Sequence, residues 1–122
     1  MNYDALEKLL LSQKGAVRDY PFGPEAAVFK VAGKMFAIVS WEDDPLLISL
    51  KCDPAEADFF RSMFDAVQPG YHLNKSHWNT VTLDGSIPEE LLVNMIRSSH
   101  ALVVKGLPKA ERERLKWKET NG

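Results

Sequence analysis

Two of the chain's three histidines, a lysine, two asparagines and a tryptophan fall within Tyr71-His72-Leu73-Asn74-Lys75-Ser76-His77-Trp78-Asn79. An indole ring offers stacking area, and amide, imidazole and ammonium groups beside it donate and accept hydrogen bonds, so this density of polar groups suits recognition. Catalysis needs an acid, base or nucleophile in a tuned pocket, and the sequence offers no signature of one. His72 and His77 have the spacing of half a zinc finger, but the cysteine half is missing and His-Glu-x-x-His does not occur. They read as exposed or hydrogen-bonded histidines, and no metal is assigned. Glu42-Asp43-Asp44, ahead of Pro45, reads as a solvated hairpin tip. With no nucleophile elbow, phosphate-binding loop or dinucleotide fingerprint, neither an enzyme nor a cofactor is expected.

Cys52 is the sole cysteine, which removes an internal disulfide and any multi-cysteine zinc site. Lys51 and Asp53 beside it nearly cancel, so nothing activates its thiol and a structural role is expected. The net charge of −2 bears on any nucleic-acid partner, because non-specific affinity comes mainly from neutralised phosphates. From Lys105 onward six basic residues face three acidic ones. A basic face must therefore be assembled locally, from this end of the chain and from scattered lysines such as Lys30, Lys34, Lys51 and Lys75.

The elements that would position the cluster follow from periodicity. Leu6, Leu9 and Leu10 give an amphipathic opening helix, with Gly15 after it as a left-handed stop. A short strand over 16–20 precedes the Pro21-Phe22-Gly23-Pro24 loop. Ala27–Val31 and Lys34–Trp41 form a hairpin about Ala32-Gly33, and Leu46–Lys51 adds a strand with Leu46, Ile48 and Leu50 on one face. Asp53-Pro54-Ala55-Glu56 starts a helix to about Ala66, its apolar stripe running through Phe59, Phe60, Met63, Phe64 and Val67, with Asp58, Arg61 and Asp65 outside. Tyr71-His72-Leu73 is a brief extended piece, and Trp78–Leu83 a strand. Ser86-Ile87-Pro88-Glu89 opens a long helix that Gly106-Leu107-Pro108 ends.

The order α-β-β-β(β)-α-β-α predicts an α+β domain over 1–108, an antiparallel sheet with helices packed on one face, followed by a charged C-terminal tail over 109–122 that reads as a short exposed helix or a frayed end. Apolar runs are too short to cross a bilayer and no secretory signal is read at the N-terminus, so a cytoplasmic protein with no membrane contact is expected. Oligomeric state is not legible.

Tyr20-Pro21-Phe22-Gly23, the Val28–Ala37 hairpin with Phe29-Lys30 and Lys34-Met35-Phe36, the Leu73-Asn74-Lys75-x-His77-Trp78-Asn79 segment and the helix bearing Ser98-Ser99-His100-Ala101 together resemble the MmcQ/YjbR family of small bacterial proteins. The similarity runs from Asn2 to about Pro108. It implies a CyaY-like (frataxin-like) fold and DNA binding through hairpin elements used as wings, which carries over to Lys30, Lys34, Asn74, Lys75, His77 and Trp78. The chain departs from the family at His100, where many relatives have tyrosine. Fold similarity to frataxin does not bring iron binding with it, since function belongs to the site.

Two functions follow as expectations. One is non-enzymatic DNA binding, with lysines on phosphates and Trp78 or His77 on sugar or base. The other is a small-molecule or peptide-binding module with an anion-binding pocket near Lys75 and Trp78. A tryptophan at the head of a strand serves as core or rim as readily as it serves as a stacking platform, so the residues alone leave both open.

Overall fold

A computed structural model gives the structure of residues 1–70 and 73–121. Tyr71 and His72, and with them most of the extended piece read there, lie outside the described residues. The elements in order are α1 (Tyr3–Leu11), β1 (Ala16–Asp19), β2 (Ala26–Val31), β3 (Lys34–Ser40), β4 (Leu47–Lys51), α2 (Pro54–Met63), β5 (Val67–Pro69), β6 (Trp78–Thr82), α3 (Glu89–Lys105) and α4 (Lys109–Asn121). The strands form one antiparallel sheet in the order β1-β2-β3-β4-β6-β5.

Alternation along each strand sorts side chains between two faces. Ala27, Phe29 and Val31 of β2, Ala37 and Val39 of β3, Ile48 and Leu50 of β4, Val67 of β5 and Val81 of β6 point one way. Onto them pack Leu6 and Leu10 of α1, Phe60 of α2, Leu92, Ile96 and Val103 of α3, and Leu115 of α4. All four helices thus share one face of the sheet, the α+β arrangement expected. Among the described residues no helix is long and apolar enough to cross a membrane.

The β2–β3 hairpin turns on Ala32 (φ 49°) and Gly33 (φ 79°). Positive φ at both central residues matches the right-handed twist of the flanking strands. A bulge follows at once, because Phe29 pairs with Ala37 while Lys30 pairs with Met35, which leaves Phe36 as the extra residue. Phe36 is fully buried. Its carbonyl accepts a 2.6 Å hydrogen bond from the Ser99 hydroxyl, whose oxygen accepts in turn from the Lys51 amide at 2.9 Å. One buried hydroxyl on α3 thereby closes the gap that the bulge opens between β3 and the end of β4.

Some element boundaries differ from the sequence expectation. Helix α2 stops at Met63, Phe64 is extended, and Val67–Pro69 is a strand rather than helix end and breaker. Pro69 is tolerated there because β5 is the sheet's edge. Helix α3 begins at Glu89, since the amide and hydroxyl of Ser86 both turn back onto Asp84 Oδ1 at 2.9 and 2.6 Å instead of capping it. The segment after Pro108 is helical, the first of the two readings, but it docks on the rest of the fold instead of standing exposed. Its Leu115 is 7% exposed and sits against Gly15, where any Cβ would come within 2.6 Å of the leucine. Helix α1 itself stops at Leu11 with Ser12 as its C-cap, short of the expected glycine stop, so Gly15 (φ 71°) lies in the turn to β1, where it is the seat on which α4 docks.

Candidate nucleic-acid interface

The turn before β6 is built on Asn74. Its side-chain oxygen accepts from the Ser76 amide at 2.9 Å, and its carbonyl accepts from His77 and Trp78 at 3.2 and 3.0 Å. Asn74 thus shapes the loop through its side-chain and main-chain oxygens. The His77 carbonyl takes the Cys52 amide at 2.7 Å, which ties the turn to the end of β4. Lys75, Ser76 and His77 stand exposed around the bend.

Arg61 holds this turn from behind. It was expected on the outer side of α2, yet it donates from Nε to Asn79 Oδ1 at 2.6 Å and from Nη2 to the carbonyls of Lys75 and Trp78. Asn79 is 4% exposed and its amide reaches the Ala57 carbonyl at 3.4 Å. One guanidinium can do this because its donors lie in a fixed planar fork. The sequence carries no local sign of it: Arg61 and Asn79 are eighteen positions apart and meet only when α2 folds over β6.

The face of the sheet turned away from the helices carries Val28, Ile38 and, at its centre, a Ser49–Thr80 hydroxyl pair at 2.8 Å. Toward the end that holds the hairpin and the 74–77 turn, Trp78 lies directly opposite Lys51, and Lys30 directly opposite Met35. Strand spacing places Lys30 and Trp78 roughly 14 Å apart across β3 and β4. Register thus assembles one row, Lys30, Met35, Lys51 and Trp78, with Lys75 just past its end. Trp78 is only half-buried, and its backbone runs close to Gly70, where a Cβ would fall 2.7 Å from that of Trp78.

Charge along the row is uneven. Lys30 pairs with Asp19 at 3.2 Å. The Tyr20 amide and then Lys30 hold the Asp19 carboxyl below the usual carboxylate range. Lys51 was legible only as one of several scattered lysines; the alternation of Ile48 and Leu50 assigns it to the helix-free face, but its place beside Trp78 needs the β4–β6 register. Lys34 goes elsewhere. It pairs with Val31 and so shares the helix-side face at the hairpin tip, opposite to Lys30. Cys52 is half-buried at the edge of this region, and burial, followed by the charges of Glu56 and Asp53, pushes its thiol up to about 11.

These features define a small α+β protein in which one sheet face is committed to the core and the other carries Val28, which is fully buried, and Ile38 beside hydroxyl, basic and aromatic side chains. The chain matches the YjbR family over residues 11–102 and belongs to it. It is 40% identical over 97 residues to the uncharacterized protein YbdF of Escherichia coli O157:H7, covering 80% of each chain. To the uncharacterized protein YjbR of Escherichia coli strain K12 it is 32% identical over 115 residues, covering 94% of this chain and 98% of that one. The crystal structure of a Deinococcus radiodurans protein with the DUF419 domain superposes with a TM-score of 0.89 at 41% identity, over 94% of this chain and 88% of that one. A Pseudomonas syringae protein gives 0.72 at 26% identity, over 84% and 98%.

Proposed function

We propose that the protein is a non-enzymatic DNA-binding protein that lays a single strand across the helix-free face of its sheet. The observation that carries this reading is the Lys51–Trp78 cross-strand pair, extended along the row to Lys30 and past its end to Lys75. An aromatic ring flanked by ammonium groups on a sheet face supports base stacking with phosphate neutralisation, the combination by which unpaired nucleic acid is held without sequence readout. Lys51 and Lys75 meet phosphates, Trp78 receives a base, and His77 borders the strand. Lys34 lies off this path by register, and Asn74 contributes by shaping the turn. The acidic total keeps affinity modest and confined to low salt.

Fluorescence anisotropy with a labelled single-stranded oligonucleotide tests it. With about two phosphates neutralised, by Lys51 and Lys75, log affinity should fall with log salt at a slope of roughly −1.4. Lys51→Glu should weaken binding about tenfold and flatten that slope, while Lys34→Glu should do much less. No binding at low salt by the wild-type chain rejects the proposal. An anionic metabolite that raises the melting temperature where DNA does not would point to a small-ligand module instead.

A further inference from the structure

Away from the lysine row, Tyr20, Phe22 and Trp41 are exposed aromatics brought to one end of the sheet, from the loop after β1 and from the end of β3. Between Tyr20 and Trp41 lies an open groove of about 490 Å³, its remaining wall made by Gly23 and Pro24, and Phe22 stands 61% exposed in the same loop. Scattered apolar residues on a surface need no explanation, but aromatic rings gathered along one groove mark an interaction site. Both rings are set in place before any partner arrives. The Trp41 indole N–H donates to the Pro24 carbonyl at 2.8 Å, and the ring lies 6.1 Å from that of Tyr3. The Arg18 guanidinium lies over Tyr20 at 5.6 Å and is itself bound to Glu7 of α1. Rigid platforms of this kind lower the ordering cost of binding.

The N–H groups at the groove are already engaged. Beside the indole, the Tyr20 amide donates to Asp19 Oδ1 at 2.8 Å, the Gly23 amide to the Tyr20 carbonyl at 3.3 Å and the Ala26 amide to the Gly23 carbonyl at 3.5 Å. A partner strand seeking a backbone ladder finds no donors here. A polyproline II segment needs none, because its prolines have no N–H to satisfy and its carbonyls stay in water. Charge sets the rest of the partner. Glu25 holds its carboxylate at the groove wall, 3.0 Å from where a Cβ on Gly23 would stand, and Glu42, Asp43 and Asp44 follow Trp41 directly. All four are exposed, and none has an ion-pair partner among the described residues. The neighbouring cations are taken, Arg18 by Glu7 and Lys30 by Asp19. Setting the Met1 amino group, near the start of α1, against one carboxylate still leaves three. Such a rim repels phosphates, which separates this groove from the lysine row, and attracts arginine or lysine beside the docked prolines.

We propose that this groove docks a basic, proline-rich segment of a partner protein, whose prolines stack on Tyr20 and Trp41 while its arginines or lysines meet Glu25, Glu42, Asp43 and Asp44. The test titrates the full ¹⁵N-labelled chain with an oligoproline peptide ending in an arginine pair, and reads amide and indole chemical shifts. Saturable shifts confined to residues 19–26 and 41–44 and to the Trp41 indole N–H are expected, with affinity falling as salt rises. Glu25→Gln combined with Glu42→Gln and Asp43→Asn, all at exposed positions, should weaken binding at least about tenfold and flatten that salt dependence. Tyr20→Ala should weaken it about fivefold with the salt dependence kept, and Lys51→Glu should leave it unchanged. Exchanging the arginines for glutamates, or the prolines for glycine and serine, should abolish saturation. Equal binding of the glycine–serine peptide, shifts scattered over the surface, or indifference to the triple carboxylate variant would overturn the proposal, as would a single-stranded oligonucleotide shifting these same residues.

Discussion

Arg61 Nε donates to the buried Oδ1 of Asn79 at 2.6 Å, so a residue of α2 completes the hydrogen bonding of a residue of β6 that faces the core. The same guanidinium binds the carbonyls of Lys75 and Trp78. The shape of the turn that presents Lys75 and His77 is thus set from the helix side of the sheet. Any use of the turn in binding depends on this clasp.

Removing the clasp should be costly. Arg61→Ala leaves the buried Asn79 amide oxygen without its donor, while the Trp78 carbonyl keeps the Gly70 amide, and is expected to destabilise the protein by about 1–3 kcal/mol in urea unfolding. Arg61→Lys should recover less than half, because an ammonium cannot span the fork. Arg61→Met combined with Asn79→Leu should cost less than the two single changes summed, since both partners are then removed together. Additive single and double variants would show that the bond contributes little.

Ser99 is a second such point. Ser99→Ala strips a donor from the Phe36 carbonyl and an acceptor from the Lys51 amide, both at the bulge. A loss of about 2 kcal/mol is expected, together with faster hydrogen exchange at the Lys51 amide than at the Ser49 amide in mid-strand. Unchanged exchange at Lys51 would contradict the bridging role.

The hairpin carries an improvable residue. Ala32 holds φ 49°, where its Cβ is crowded, and neither Ala32 nor Gly33 is buried. Ala32→Gly should stabilise the fold by about 0.5–1 kcal/mol, and Ala32→Asn similarly, read as a higher urea midpoint with an unchanged slope.

Acid stability follows from carboxylates held below their ordinary range. Glu7 lies by the Tyr3 hydroxyl and the Arg18 guanidinium, Asp19 takes the Tyr20 amide and Lys30, and Asp84 takes the hydroxyl and amide of Ser86. Each stays charged to a lower pH in the folded chain than in the unfolded one. Their contribution is therefore present above the unfolded carboxylate pKa near 4 and is lost as pH falls through the folded values. The urea midpoint should change little from these groups between pH 7 and 5 and drop below about pH 4. Asp84→Asn should make that drop shallower.

Cys52 should react slowly. With its thiol pushed up to about 11, the thiolate is scarce at pH 7.5, and alkylation by iodoacetamide is expected to run at least about tenfold slower in the native protein than at a free cysteine. A rate equal to that of the free thiol would show that the cysteine is not held as described.

Much of the scaffold was legible because short-range rules governed it. Leu6 and Leu10 at helical spacing, Asp53-Pro54 opening α2 and Ala32-Gly33 turning the hairpin all act through neighbours within a few residues, and each stands where its spacing put it. Ser86 failed as a cap because Asp84, two residues away, competes for its amide and hydroxyl. Val67–Pro69 failed as the end of a helix because pairing with Val81 and Asn79 of β6 offered its backbone partners that local propensity does not count.

By itself, the sequence determined an α+β chain with an antiparallel sheet, the position of its turns, the absence of an internal disulfide and the polar cluster around Lys75 and Trp78. Tertiary structure alone decided that Lys30 and Lys34 part to opposite faces, that Lys51 stands beside Trp78, that Arg61 clasps Asn79 and that the charged C-terminal segment docks on Gly15 through Leu115 instead of standing exposed. The physical reason is the same in each case. Helix and turn signals are carried by residues one to four positions apart, whereas a one-residue bulge at Phe36, the β4–β6 register and the seating of one helix on another depend on groups far apart in the chain.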